Sequence, residues 1–348
     1  MVRLERSARK PLVPILAGMA VLSVSFAAGA DTPMSYLRGF GAKADPVVAL
    51  TWGTLGISVA VVIIICVLLV AGVLRSRSAV VDGDVRRQPV ARRGNGLLWI
   101  YWGTGVSTVV LFGALVWTVA VLAAINSPAS KPTLTIEVTG QQWWWKVRYL
   151  SDDPSRIITT ANEIHIPVGQ PVRVRLIGAD VIHSFWIPAL SGKTDTIPGQ
   201  TNTTWIEASK PGIYRGQCTE YCGEQHAHMA AFVVAQAPDA FQNWWNSQIE
   251  AAPDPATPQQ TRGRAAFEFH CGSCHTVRGS DSGGSIAPDL THLMSRNTIA
   301  AGVLVNSPDN LAGWITNPQA IKPGTTMPIP GISGPEVGDI TAYLQTLQ

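Results

Sequence analysis

The sequence predicts a membrane-anchored chain of several units: a two-helix transmembrane hairpin, an all-β unit, and an all-α unit. Three observations carry this. Two long uncharged runs lie in the first third of the chain, and short β-rich segments separated by turn residues fill roughly 132–237. After a Pro-rich tract the pattern turns helical. Composition agrees: 46% of the 348 residues are hydrophobic and only 14% are charged, well under the roughly 25% of soluble domains. A formal charge of +3 is too small to argue for a nucleic-acid partner.

The first 30 residues join a basic start, MVRLERSARK, to an apolar stretch broken by Pro14 and closed by small residues at Ala28 and Ala30. That is the pattern of a secretory signal cleaved after Ala30, with a third membrane helix as the alternative. The hairpin then occupies 31–130. Its helices, expected at about 47–74 and 97–125, each exceed the roughly 20 apolar residues that span a bilayer. Cys66 lies within the first run, where a buried, inert thiol is expected. The connecting loop carries Arg75, Arg77, Arg86, Arg87, Arg92 and Arg93 against Asp82 and Asp84. By the positive-inside rule this loop is cytoplasmic, so everything beyond about Lys131 lies outside. Trp99, Tyr101 and Trp102 suit the interfacial aromatic belt.

Between 131 and 245, PTLTIEV, EIHIPV, PVRVRLIG and TTWIEA are strand-like, and PVGQPV and IPGQTN are turns. Their spacing predicts a sandwich or barrel. A helix-like PDAFQNWWNSQIE leads into a linker at 246–258, with the last unit at 259–348.

Four of the five cysteines form close pairs, which point to metal or cofactor chemistry. Cys271-Gly272-Ser273-Cys274-His275 is a c-type haem attachment sequence: the thiols reach two vinyl groups and His275 ligates the iron. Gly263 and Phe267 share one face of the preceding helix, and Tyr343 and Leu344 lie on a closing helix that would cross it. Met327, in KPGTTMPIPG, is suited to the second axial position, with Met294 as the rival ligand. His270 and His292 have no motif behind them and read as surface residues. Over about ninety residues this segment resembles class I cytochrome c.

The stretch QCTEYCGEQHAHM spaces Cys218, Cys222, His226 and Met229 along one loop. Two thiolates are one more than a mononuclear blue-copper site takes. Both sulfurs can bridge a pair of copper ions if each ion finds its own imidazole. His226 is one, and His183, at a strand end in ADVIHSFWIP, is the candidate for the other. A structural zinc would be satisfied by two Cys and two His, and would leave Met229 idle.

HSFWIP together with CTEYCGEQHAHM resembles the dinuclear copper (CuA) domain of subunit II of haem–copper oxidases, over residues 40–245. The resemblance implies a cupredoxin-like β-barrel behind the membrane hairpin. It implies His183, Cys218, Cys222, His226 and Met229 as side-chain copper ligands and Glu220 as a ligand through its backbone carbonyl. The Glu220 carboxylate would face a magnesium ion at subunit I. Trp143, in GQQWWWKVRY, would be the electron port facing cytochrome c, while Trp144 and Trp145 read as core. His165 and His228 match no ligand position. The fused haem segment makes the whole resemble subunit II of a cytochrome caa-type oxidase in a bacterial membrane. Implied partners are membrane lipid, subunits I and III, and an external cytochrome c. Gly96 stands where family members often carry a glutamate for proton uptake. Other readings are the small subunit of a copper-containing nitric oxide reductase and a membrane-tethered copper chaperone. A quinol oxidase subunit would leave the copper ligands without a task.

Overall fold

A computed structural model describes residues 34–75 and 96–348. The expected signal segment and nearly all of the arginine-rich loop lie outside these residues. Helices α1 (Asp45–Arg75) and α2 (Gly96–Asn126) fall within two residues of the expected limits. Each is long enough, at about 1.5 Å per residue, to cross a hydrocarbon core of roughly 30 Å. Their apolar side chains point outward, as lipid-facing helices require and soluble core helices do not; Leu69 is 64% exposed and Phe112 65%. Cys66, expected to be buried, is exposed for the same reason: the apolar run around it is an outer surface, not a protein core. Gly53 lets the helices touch, since a Cβ there would lie 2.3 Å from the Trp117 ring.

Ten strands follow: β1 (Leu134–Gln141), β2 (Trp144–Leu150), β3 (Ile158–Ala161), β4 (Glu163–Pro167), β5 (Val172–Gly178), β6 (His183–Trp186), β7 (Thr194–Thr196), β8 (Thr201–Ile206), β9 (Gly212–Cys218) and β10 (Ala230–Gln236). They form two five-stranded sheets, in the orders β3-β2-β1-β5-β8 and β4-β10-β9-β6-β7. Alternate residues of β1 and β2 are buried, as a period of two demands, and Ile136, Trp145, Tyr149, Leu176 and Phe185 fill the space between the sheets. The expected barrel is curled but not fully closed. At Asn162, which takes a left-handed φ of 63°, the chain leaves one sheet for the other. Gly178 meets Pro198 in an isolated bridge, and proline has no N–H with which to extend it into a ladder. Strand β8 anchors the hairpin: Trp205 Nε1 donates to the Ile125 carbonyl at 3.0 Å and Lys43 Nζ to Thr204 Oγ1 at 2.6 Å.

Helix α3 (Pro238–Ile249) lays Trp244 and Trp245 against Tyr149, with ring centroids 5.2 and 5.4 Å away. After residues 250–257 come α4 (Pro258–His270), α5 (Pro308–Thr316), α6 (Pro318–Ile321) and α7 (Gly334–Leu344), with two-residue strand pairs at 276–277/282–283 and 298–299/304–305. Thr257 and Gln260 form a capping box that starts α4. Where α4 crosses α7, a Cβ on Gly263 would sit 2.0 Å from the Asp339 carbonyl oxygen, so only glycine permits the approach. His292, read as a surface residue, is buried. Its Nδ1–H donates to the Gln348 carbonyl and its Nε2 accepts from the Arg278 guanidinium, which itself donates to the Ile249 carbonyl at 3.0 Å, and so the ring ties the chain end to the end of α3.

The helical unit is seated on the sheets. The buried Glu163 carboxylate, at the start of β4, accepts from the Asn297 N–H at 2.6 Å, from Asn297 Nδ2 at 3.1 Å and from the Thr298 N–H at 3.1 Å. The Ala230 N–H of β10 donates to the Ala301 carbonyl at 3.1 Å.

Candidate functional site

Strand β9 ends at Cys218, the turn to β10 carries Cys222, His226 and Met229, and β6 begins at His183. Folding gathers these donors around two sulfurs. Cys218 Sγ lies 3.7 Å from Cys222 Sγ, 4.0 Å from His183 Nδ1 and 3.3 Å from the Glu220 carbonyl oxygen. Cys222 Sγ lies 3.6 Å from His226 Nδ1 and 3.9 Å from Met229 Sδ. Two ligands at roughly 2.0–2.3 Å from one tetrahedral ion stand about 3.3–3.8 Å apart, so these separations suit metal binding. The six donors exceed what one four-coordinate ion takes. His183, Cys218 and Cys222 form a buried cluster of potential ligands. Among soft thiolate, thioether and imidazole donors, copper fits this set.

His183 Nε2 meets Asp180 Oδ1 at 2.8 Å, which fixes the ring so that Nδ1 faces the sulfurs. Burial disfavours a charged His183, but the Cys218 sulfur and Asp180 outweigh it and raise its pKa. The Cys222 S–H, donating to Cys218, pulls the Cys218 thiol well below the ordinary range, and the resulting thiolate pushes Cys222 up. One thiol of the pair therefore ionises readily, as a thiolate ligand must. Asp180 was missed from sequence, although a carboxylate three residues before His183 was there to read. The Trp143 Nε1–H and Gln142 Nε2–H both donate to the Cys222 carbonyl, at 3.0 and 2.8 Å. The Glu220 carboxylate pairs with Lys193 Nζ at 3.2 Å.

A cavity of about 500 Å³ lies between the helical unit and the sheets. Cys271, Cys274 and His275 line one part of it and Met327 another, while Trp143, Trp144 and Asp180 contribute from the sheet side. The His275 Nδ1–H donates to the Pro288 carbonyl at 2.7 Å, leaving Nε2 free for a metal. Burial lowers the His275 pKa, which favours the neutral, ligating imidazole. Met294 packs instead against the helical core around Leu293. These residues fit a haem held by two thioethers. Trp145 is fully buried as expected, but Trp144 is only half-buried and faces the cavity, because adjacent strand residues point to opposite sides. Trp143, expected to receive electrons from cytochrome c, is 8% exposed and covered by the chain's own helical unit. His165 is buried by stacking on Trp244 at 4.1 Å, and His228 Nδ1 meets Gln225 Oε1 at 2.6 Å.

The family model described as "Cytochrome C oxidase subunit II, periplasmic domain" matches residues 149–237, and the one described as "Cytochrome c" matches 260–348. Cytochrome c oxidase subunit 2 of Bacillus sp. strain PS3 is 30% identical over 285 residues, 76% of this chain and 78% of that protein. The chain belongs to the cytochrome c oxidase subunit 2 family. The subunit 2 of Alkalihalophilus pseudofirmus is 38% identical over 218 residues, and the matched region is 62% of each chain. A crystal structure of the periplasmic domain of subunit II of cytochrome oxidase from Bradyrhizobium japonicum aligns with 35% of this chain and 96% of its own, at 34% identity and a TM-score of 0.32. As a subunit 2, the protein is a component of respiratory electron transport, with two membrane-spanning helices followed by a large extracytoplasmic region.

Proposed function

We propose that this subunit 2 takes electrons from an external cytochrome c through its own haem c. It passes them by way of a dinuclear copper centre to the haem–copper catalytic subunit I, where oxygen is reduced to water. The observation that carries this reading is the pairing of two sites across one residue. The six-donor sulfur cluster and the CxxCH cavity share Trp143, whose ring lines the cavity and whose indole N–H is bonded to the Cys222 carbonyl. When bound, the haem iron and the copper pair each accept and release a single electron. The chain's residues supply the holding. His183, Cys218, Cys222, His226, Met229 and the Glu220 carbonyl take the copper pair in a cupredoxin-like domain. Cys271 and Cys274 would hold the haem through its vinyl groups in a class I cytochrome c domain, and His275 and Met327 would ligate its iron. Asp180 and the Pro288 carbonyl fix the ligand imidazoles. Trp143 is then an internal bridge between the two sites. The Glu220 carboxylate serves a magnesium ion at the contact with subunit I, with subunit III completing the assembly.

A copper chaperone must surrender its metal to another protein. Cys218 and Cys222, 1% and 3% exposed, are placed to keep theirs. Metal analysis of the full chain expressed with copper and haem should give two copper ions and one covalent haem per chain. The Cys222→Ser variant should lose the mixed-valence copper absorption and keep the haem spectrum. One zinc and no copper per chain overturns the reading.

A further inference from the structure

Lys322 is a lysine with 2% exposure whose ammonium donates to three carbonyl oxygens: Trp143 at 2.7 Å, His228 at 2.8 Å and Ala300 at 3.2 Å. Two of these belong to the sheet unit, on the Trp143 turn and on the copper-ligand loop; the third belongs to its own helical unit. The same turn makes further contacts. The Pro323 carbonyl accepts from Gln225 Nε2 at 2.7 Å. Gly324, at φ +78°, comes so near the loop that a Cβ would lie 2.6 Å from Glu224 Oε2. Three residues later stands Met327. The hydrogen-bond partners of this ammonium are neutral carbonyls, so its desolvation is offset mainly by the directed bonds, with attraction to the Cys222 sulfur beside them. A methionine of similar volume would bury at lower cost, but could not fix two backbones against each other.

We propose that Lys322 is a positioning residue whose three bonds pin the Met327 loop to the copper-ligand loop and so hold the haem cavity on Trp143. The proposal rests on the relay reading and adds what keeps the relay aligned. With the pin in place, the helical unit is docked as a fixed body and does not search for the copper site at the end of its linker.

The test uses the full-length holoprotein in detergent, wild type against Lys322→Met. Three quantities are read: the methionine–haem absorption band, hydrogen exchange over 142–146 and 225–229, and the haem-to-copper transfer rate after photoreduction of the haem. The band and the capture of electrons from an external donor should be unchanged. Exchange in both segments should rise about tenfold or more, and internal transfer should fall about tenfold or more. A simple loss of haem-unit folding would move the band and donor capture too. If K322M does not take up haem, Gly324→Val, whose branched side chain strains the same turn at φ +78° and crowds Glu224 and the Trp143 ring, is read by the same criteria. Exchange and transfer at wild-type values in the variant that folds overturn the proposal. A wild type with no haem-to-copper transfer overturns the relay, while the exchange readout still judges Lys322.

Discussion

His165 shows how a residue without a ligand role still sets a pH limit. Its imidazole is stacked on Trp244, meets Gln236 Oε1 at 3.0 Å, and is driven by burial from 6.5 down to about 4. Between those values the unfolded chain binds a proton that the folded chain refuses. The stability is therefore intact above about 6.5 and is lost as pH falls toward about 4, by roughly 3 kcal/mol in total. His165→Phe keeps the stack and cannot titrate. Its denaturation midpoint should fall less steeply than that of the wild type between pH 6.5 and pH 4, and parallel slopes would refute the assignment. Comparison at matched pH cancels the titration of the metal ligands. Single residues were legible from sequence where spacing carried them, as in Cys218-x3-Cys222 or Cys271-x2-Cys274-His275. Lys322 and Glu163 were not, because their partners are backbone groups far away in the sequence.

Among the elements, α4 and α7 owe their close crossing to Gly263. Alanine at an exposed helical position would add stability of up to about 1 kcal/mol. Here its methyl would meet the Asp339 carbonyl oxygen at 2.0 Å and Tyr343 Cβ at 2.9 Å. Backbone cannot yield as a side chain tip can, so overpacking at about 1–3 kcal/mol wins. Gly263→Ala should lower the melting temperature of the haem unit and leave the copper spectrum unchanged. An unchanged or higher melting temperature would count against the crossing. This pairing was foreseen from Gly263 and Phe267 on one face and Tyr343 on the other, and the Phe267 and Tyr343 rings now lie 5.9 Å apart. The strands were read less fully. β3, β6 and β7 span only three or four residues each, too few for alternation to show. The open seam between the sheets depends on Asn162 and Pro198, which no periodicity announces.

For the whole molecule, docking decides what the linker is for. Residues 250–257 join α3 to α4, and the Ala252 N–H already bonds the Arg278 carbonyl at 2.8 Å. A free tether would make internal transfer fall as about the −3/2 power of linker length. A pinned unit makes it indifferent. Inserting Gly-Ser repeats between Asp254 and Pro255 should leave the internal rate within about twofold of the wild type. A steady decline with length would mean that the haem unit swings. The two-unit plan and the hairpin were plain in the sequence, from hydropathy and from the shift to helical patterning after the Pro-rich tract. The docking was not, because it is written in contacts between units rather than in the pattern of either one.

The covering of Trp143 has a kinetic corollary. A shared gateway that soluble carriers could also reach would give two overlapping saturation curves, one for each place of landing. Here the indole is already covered from within, so under the proposed relay every incoming carrier would queue at the same haem. Oxygen consumption against carrier concentration should then follow a single hyperbola, and adding more carrier beyond its plateau would feed no side door.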